Sequence, residues 1–334
     1  MIKKTLILLF CALQVSCVGQ ATKINGISFV AAPQAVQKSH IKPVLALGAN
    51  YAAIMPFGFI RGLSNPTIIH NTNRQWFGET RVGAKQYIKM LQANGIKVMV
   101  KPQIWISQGL FTGRLEMASE EDWTTLEQSY SSFILEYANL AQEVKAPLFC
   151  IGTELEQFVL HRPEYWNKLI AAIRTVYNGK LTYAANWDEY KKVPFWKQID
   201  YIGVDAYFPI SENQTPSLEE SKKGWQKWKK ELQDLSQSEN KNILFTEFGY
   251  RSADYAAKEP WNSDRSLKGV NHEAQTNSTQ ALFEEVWKED WFAGGFIWKW
   301  FIDYEKSGGL ENTQFTPQNK PVEAIIRMHY GQQD

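Results

Sequence analysis

Apolar runs of seven or eight residues alternate along this chain with longer stretches whose apolar positions recur at helical spacing. The runs are Gly26–Ala32, Ala52–Gly58, Val98–Trp105, Pro147–Glu154, Leu181–Trp187, Tyr201–Tyr207, Ile243–Tyr250 and Gly294–Trp300. A run that stays apolar at both parities is a strand buried on both faces, as in parallel sheets. The intervening stretches Ala84–Ala93, Glu120–Val144, Tyr165–Tyr177, Leu218–Ser236 and Ala274–Glu289 read as helices. Gly95 after Asn94 is a helix stop, and Ser119-Glu-Glu-Asp122 is a helix start. Pro33–Ala49 makes a poor helix because Pro43 interrupts it. Strands alternating with helices over this length predict an α/β fold, a (β/α)8 TIM barrel. A doubly wound sheet is the alternative, but no Gly-rich phosphate turn follows an early strand.

The N-terminus breaks the pattern. Lys3 and Lys4 precede the apolar stretch Thr5–Leu13, which is too short for a permanent membrane span and reads as the core of a secretory signal. Ser16-Cys17 resembles a bacterial lipoprotein cleavage site, although Gln14 stands where an aliphatic residue is usual. Cleavage after Gly19-Gln-Ala21 is the competing reading. Residues 1–21 are therefore expected to be a signal segment, with lipidation of Cys17, and residues 22–334 a single domain. The expected location is outside the cytoplasm, anchored in a membrane at the periplasm or cell surface, or else secreted in soluble form.

Charge adds little: 36 Lys and Arg balance 35 Asp and Glu, so no field favours nucleic acid or an anionic membrane. Once the signal is removed, Cys150 is the one cysteine besides Cys17, inside an apolar run, and it reads as an inert core thiol. No disulfide framework or cysteine metal site is possible with that count, and the five histidines show no metal-ligand spacing. No cofactor is implied. The informative excess is aromatic, with 13 Trp, 14 Tyr and 18 Phe, many of the tryptophans near strand ends where flat faces can stack on sugar rings.

In a parallel barrel the C-terminal strand ends converge on one mouth. The residues expected there are Arg61 with the stretch Asn50–Phe59, Lys101, Gln103, Trp105, Thr153, Glu154, Asn186, Trp187, Asp188, Asp205, Tyr207, Glu247, Tyr250, Trp298 and Trp300. Alternation puts Lys101, Gln103 and Trp105 on one side of their strand, pairs Asp205 with Tyr207, and pairs Trp298 with Trp300. It leaves open which parity faces inward. Glu154 and Glu247, each closing an apolar run, are the two carboxylates that cleavage of a glycosidic bond requires. Glu156 shares parity with Glu154, but it follows the strand end and is expected in the next loop. His161, beside Arg162-Pro163, reads as a loop or helix-start residue.

Several segments carry a resemblance to a known family. They are Val98-Met-Val-Lys-Pro-Gln-Ile-Trp105, Ile151-Gly-Thr-Glu-Leu155, Leu181-Thr-Tyr-Ala-Ala-Asn-Trp-Asp188, Ile202-Gly-Val-Asp-Ala-Tyr207, Phe245-Thr-Glu-Phe-Gly-Tyr250 and Gly294-Gly-Phe-Ile-Trp298. Together they resemble glycoside hydrolase family 113, of the clan of retaining (β/α)8-barrel glycosidases, whose characterised members are chiefly β-mannanases. The resemblance implies that Glu154 is the acid/base and Glu247 the nucleophile. It further implies that Tyr207 donates to Glu247, that Trp298 floors the sugar site, and that Gln103, Trp105 and Asn186 bind substrate. Thr153 departs from the wider clan, which usually carries Asn before the acid/base to bind the sugar 2-hydroxyl. That hydroxyl is axial in mannose, so the change is compatible with β-1,4-mannan or manno-oligosaccharides.

The partner expected is thus an oligo- or polysaccharide, with no nucleic acid, and with membrane contact only through a lipid on Cys17. Three rivals stand beside this reading. One is a hydrolase of another β-hexoside, since a barrel does not fix the sugar. Another is a surface lipoprotein that binds glycans without cleaving them, which need not keep two glutamates. The third is a sugar-phosphate aldolase or isomerase, for which Lys101 or Lys299 would have to serve as the reactive amine.

Overall fold

The apolar runs form strands that close on themselves. In the computed structural model, which describes residues 22–263 and 269–331, the barrel strands are β1 (Ile24–Phe29), β2 (Tyr51–Ile54), β4 (Lys97–Val100), β6 (Leu148–Thr153), β7 (Lys180–Asn186), β8 (Ile202–Asp205), β9 (Ile243–Phe248) and β10 (Phe292–Trp300). Every neighbouring pair is parallel, and β1 closes the circle by pairing with both β2 and β10. The (β/α)8 expectation holds. The signal segment and Cys17 lie outside the described residues.

Two of the expected strands are each split by a proline. Ala52–Gly58 becomes β2 plus β3 (Phe57–Ile60), broken at Pro56, and Val98–Trp105 becomes β4 plus β5 (Gln103–Ile106), broken at Pro102. Proline has no N–H for the ladder, so each chain leaves the barrel there. Beyond the break, β3 and β5 pair in parallel as a separate two-stranded sheet at the barrel rim.

Outside the barrel run α1 (Lys38–Ala46), α2 (Arg81–Gln92), α3 (Glu120–Glu143), α4 (Glu156–His161), α5 (Pro163–Val176), α6 (Leu218–Glu239), α7 (His272–Glu285) and α8 (Pro321–Gly331). The helix starts follow capping chemistry. Ser119 accepts from the Asp122 amide and Ser217 from the Glu220 amide, with Glu220 reaching back to close a capping box. Contrary to expectation, α1 forms with Pro43 inside it. Proline there removes one i→i−4 bond, and full burial of Ile41 and Val44 on the barrel outweighs that loss.

Burial settles the parity. Ile24, Ala53, Met99, Leu148, Cys150, Ala184, Leu244 and Phe296 fill the barrel interior. Their strand neighbours Val98, Val100, Phe149, Ile151, Ala185, Val204 and Phe245 face the helices in a second, larger core. Cys150 is buried and free, its thiol donating to the Gly152 carbonyl, and burial pushes that thiol up to about 11.

Candidate active site

Inward parity carries each strand from its apolar base to a polar tip. On β4, Met99 faces inward, so Lys101 does too, and its side chain is completely buried. On β8, the same rule delivers Asp205 and, past the strand end, Tyr207. The Lys101 ammonium lies between two carboxylates, 3.2 Å from Asp205 Oδ1 and 2.5 Å from Glu247 Oε1. Thr246 Oγ1 also donates to Asp205 Oδ1, at 2.7 Å.

Simple alternation fails at both glutamates. From inward Leu244, alternation makes Thr246 inward and Glu247 outward. The pairing shows one extra residue in β9: Val204 and Asp205 of β8 face Phe245 and Glu247, while Gly295 and Ile297 of β10 face Phe245 and Phe248. This β-bulge turns Thr246 and Glu247 both towards the mouth and leaves Phe248 packed outside against Phe283 and Trp287. A second bulge lies in β6, where Cys150 pairs with Thr182 but Thr153 pairs with Ala184. A Cβ on Gly152 would come within 2.8 to 3.0 Å of Tyr130, Trp166 and Tyr183, so only glycine fits the outward side of that bulge. Glu154 then takes a left-handed conformation, φ +50, unusual for a residue with a side chain.

The two carboxyl groups sit in contrasting surroundings. Three donors converge on Glu247: Lys101 Nζ and Gln103 Nε2 (3.0 Å) on Oε1, and the Tyr207 hydroxyl (2.8 Å) on Oε2. That arrangement complements an ionised carboxylate, which only accepts. The Glu154 carboxyl makes no side-chain hydrogen bond to another described residue. Burial pushes its proton affinity well above the carboxylate range, and the charges of Asp205, Glu247 and Glu189 push it further, against a smaller opposing pull from Lys101. Asp205 is likewise raised, by burial and then by Glu247, with Lys101 and Thr246 opposing. Burial works against the charge on Lys101, but Asp205 and Glu247 outweigh it and hold the ammonium protonated.

The other expected residues distribute around this centre. Asn186 ends β7 two residues beyond inward-facing Ala184, and its Oδ1 accepts from the Trp187 amide. Trp298 is half-buried and follows inward-facing Phe296 by two residues. Trp300 does not share its face: an extra residue in β10 between Ile297 and Trp300, paired with Ile27 and Phe29, sends Trp300 into the outer core against Tyr304. Trp105 stands exposed on β5, beyond the barrel rim, although Gln103 of the same strand reaches back to Glu247. Arg61 is exposed just past β3. Glu156 opens α4 and is ion-paired with Lys192, and His161 ends that helix instead of starting it.

Sequence reading missed the ion triad of Lys101, Asp205 and Glu247. The available signal was a lysine inside a buried apolar run, which needs a buried counter-charge. It also missed an indole stack at the mouth, where Trp187 and exposed Trp261 lie 4.8 Å apart and 19° from parallel. Trp261 comes from the segment between β9 and α7, and no local pattern ties it to Trp187.

Comparisons with known proteins agree with the barrel fold. The model of Glycoside Hydrolase Family 113 matches residues 32–320. Among solved structures, the chain is similar to the GH113 β-mannanase from Alicyclobacillus acidocaldarius in complex with ManMIm, with a TM-score of 0.80 and 22% identity over 92% of this chain and 97% of that one. A GH113 β-1,4-mannanase gives a TM-score of 0.78 at 20% identity, over 93% and 99%. A β-glucuronidase from Faecalibacterium prausnitzii gives 0.60 at 15%, over 89% of this chain and 45% of that one. No curated protein sequence matches.

Proposed function

The chain belongs to glycoside hydrolase family 113, and from that premise we propose that it cleaves β-1,4-mannosidic linkages in mannan or manno-oligosaccharides with retention of configuration. The observation that carries the mechanism is the asymmetry of the two carboxyl groups at one mouth. Glu247, held by three donors, is suited to attack. Glu154, unpartnered and driven towards its neutral form, is suited to give up a proton.

Glu247 attacks the anomeric carbon, forming a carbon–oxygen ester bond as the glycosidic carbon–oxygen bond breaks. Glu154 transfers its proton to the departing oxygen. The ester no longer carries the Glu247 charge, so one of the charges raising the proton affinity of Glu154 disappears. Glu154 then takes a proton from water as that water attacks the anomeric carbon, and Glu247 leaves as a carboxylate. Lys101 and Tyr207 hold the nucleophile in line, and Gln103 shares the oxygen bound by Lys101. Trp298, Asn186 and Trp105 are the proposed sugar contacts. The mannose preference rests on the likeness to β-mannanase structures and on Thr153, whose hydroxyl has no hydrogen-bond partner among the described residues.

A Schiff base on Lys101 is disfavoured by the same geometry, because Lys101 is a protonated ion-pair partner and not a free amine. The proposal includes export, a lipid on Cys17, and residues 22–334 acting as one catalytic domain. The test is hydrolysis of β-mannan, manno-oligosaccharides and other β-linked glycans by the purified protein, with the anomer formed first read by proton NMR. Retained β-configuration on mannosides is expected, with turnover nearly abolished in Glu247→Gln. An inverted first product, or ordinary turnover by Glu247→Gln, would overturn the assignment.

A further inference from the structure

Glu189 is a buried carboxyl that the mechanism does not use. It lies in the turn after β7, is 1% exposed, and makes no ion pair among the described residues, the nearby Lys192 being taken by Glu156. Its Oε1 accepts from the Tyr183 hydroxyl at 2.9 Å, and its Oε2 has no partner among the described residues. The Tyr183 oxygen in turn accepts the Leu155 amide at 2.7 Å. Leu155 is the residue immediately after Glu154.

The order of donors fixes the logic. A tyrosine hydroxyl that accepts an amide must send its own proton elsewhere, and in this interior Glu189 is the acceptor it meets. Meanwhile the Glu154 amide donates to the Ala184 carbonyl, at 2.8 Å. Both amides flanking the left-handed residue are thus tied to β7, one by backbone and one by the Tyr183 side chain. The Leu155 amide defines the plane of the peptide after Glu154, so it sets the ψ angle there. A side-chain-bearing residue in the left-handed region is strained, and persists only where its surroundings over-determine it. Tyr183 is itself immobilised between Trp166, Phe195 and Trp196, with no Cβ on Gly152 to displace it.

We propose that Tyr183 and Glu189 are positioning residues for the acid/base, a relay that grips the Leu155 amide and locks the left-handed turn aiming the Glu154 carboxyl at the leaving oxygen. This rests on Glu154 being the acid/base, and the test separates the two ideas. Tyr183→Phe, Glu189→Ala, Glu189→Gln and Glu154→Ala are each assayed on mannohexaose, which needs leaving-group protonation, and on a dinitrophenyl β-mannobioside, which does not. A crystal structure of Tyr183→Phe reports the Glu154 backbone independently of substrate.

Misaiming a catalytic group by about 1 Å costs on the order of a hundredfold. Tyr183→Phe and Glu189→Ala should therefore lose roughly ten- to a hundredfold in kcat on mannohexaose and far less on the aryl substrate, with KM little changed. Glu189→Gln, whose amide oxygen still accepts the hydroxyl, should stay close to wild type on both. The Tyr183→Phe crystal should show the peptide after Glu154 rotated, with ψ of Glu154 shifted and its carboxyl displaced, while the Glu154 amide stays on the Ala184 carbonyl. An unchanged Glu154 turn, or equal losses on the two substrates, overturns the proposal. Equal losses in Glu154→Ala would instead overturn the acid/base reading. If Glu154→Ala discriminates between the substrates and Tyr183→Phe does not, the relay alone is wrong.

Discussion

Replacing Lys101 by methionine removes one positive charge from between two buried carboxylates and leaves the volume nearly filled. The structure sets the size of the effect. Lys101 is fully buried, 2.5 Å from Glu247 Oε1 and 3.2 Å from Asp205 Oδ1, so water cannot replace it without opening the core. A unit pair about 4 Å apart is worth about 4 kcal/mol at an effective dielectric near 20. One pKa unit is about 1.4 kcal/mol, so losing the cation should raise the proton affinity of the Asp205–Glu247 pair by roughly two units or more. Asp205 is already raised by burial and by Glu247, so without the cation protonation reaches further into the pair at neutral pH, and a protonated Glu247 could not act as the proposed nucleophile. The assay is the pH profile of kcat/KM on an activated aryl glycoside, for which the acidic limb reports ionisation of the nucleophile. In Lys101→Met that limb should move up by about two units, with kcat at neutral pH reduced roughly a hundred- to a thousandfold. Stability follows the same sign. The mutant's folded carboxyl pair binds a proton more tightly than the unfolded chain, so the deficit is small near pH 4 and grows as pH rises through the raised folded value. It should reach about 3–5 kcal/mol, as for other broken buried ion pairs. Lys101→Met combined with Asp205→Asn should recover much of that stability, because the second buried charge is gone. An acidic limb within half a unit of wild type, with near-normal kcat, would refute the electrostatic role assigned to Lys101.

Three further outcomes are expected. Burial raises Glu189 from 4.5 to about 8, with Tyr183 opposing and Glu156, Asp205 and Asp188 adding to it, while Lys192 stands nearby as a cation. The wild type should therefore lose more stability between pH 4.5 and 8 than Glu189→Gln, in which the raised carboxyls of Glu154 and Asp205 still contribute their own loss. Thermal melts should show the mutant gaining on wild type across that window by up to roughly 4 kcal/mol, and parallel curves would contradict this. Trp261→Ala removes the exposed half of the indole stack on Trp187. It should raise KM about three- to tenfold on long manno-oligosaccharides while sparing the shortest hydrolysed ones, and an equal effect at every chain length would remove Trp261 from the cleft. If Cys17 is lipidated, the protein should partition with membranes and detergent, and Cys17→Ala should block processing or release it. The acyl chains would have to supply that anchoring, since no helix among the described residues is long and apolar enough to cross a membrane. A native N-terminus at Thr22 in a soluble fraction would show ordinary signal cleavage instead.

The sequence by itself determined the barrel, because strands buried on both faces leave continuous apolar runs that few other elements can produce. It also located the polar strand ends, since a charged or amide side chain closing such a run must emerge where the barrel opens. Tertiary structure decided how those ends are aimed. Strict alternation from Leu244 would turn Glu247 towards the helices, and one extra residue in β9, visible only in its pairing with β8 and β10, turns it to the mouth. Glu154 arrives there by a similar bulge followed by a left-handed residue, which Gly152 permits by leaving room for Tyr130, Trp166 and Tyr183. The joining of Lys101, Asp205 and Glu247 was equally out of reach. Their ammonium and carboxylates meet across 146 residues of chain, and a side-chain contact at that separation exists only once the barrel has closed.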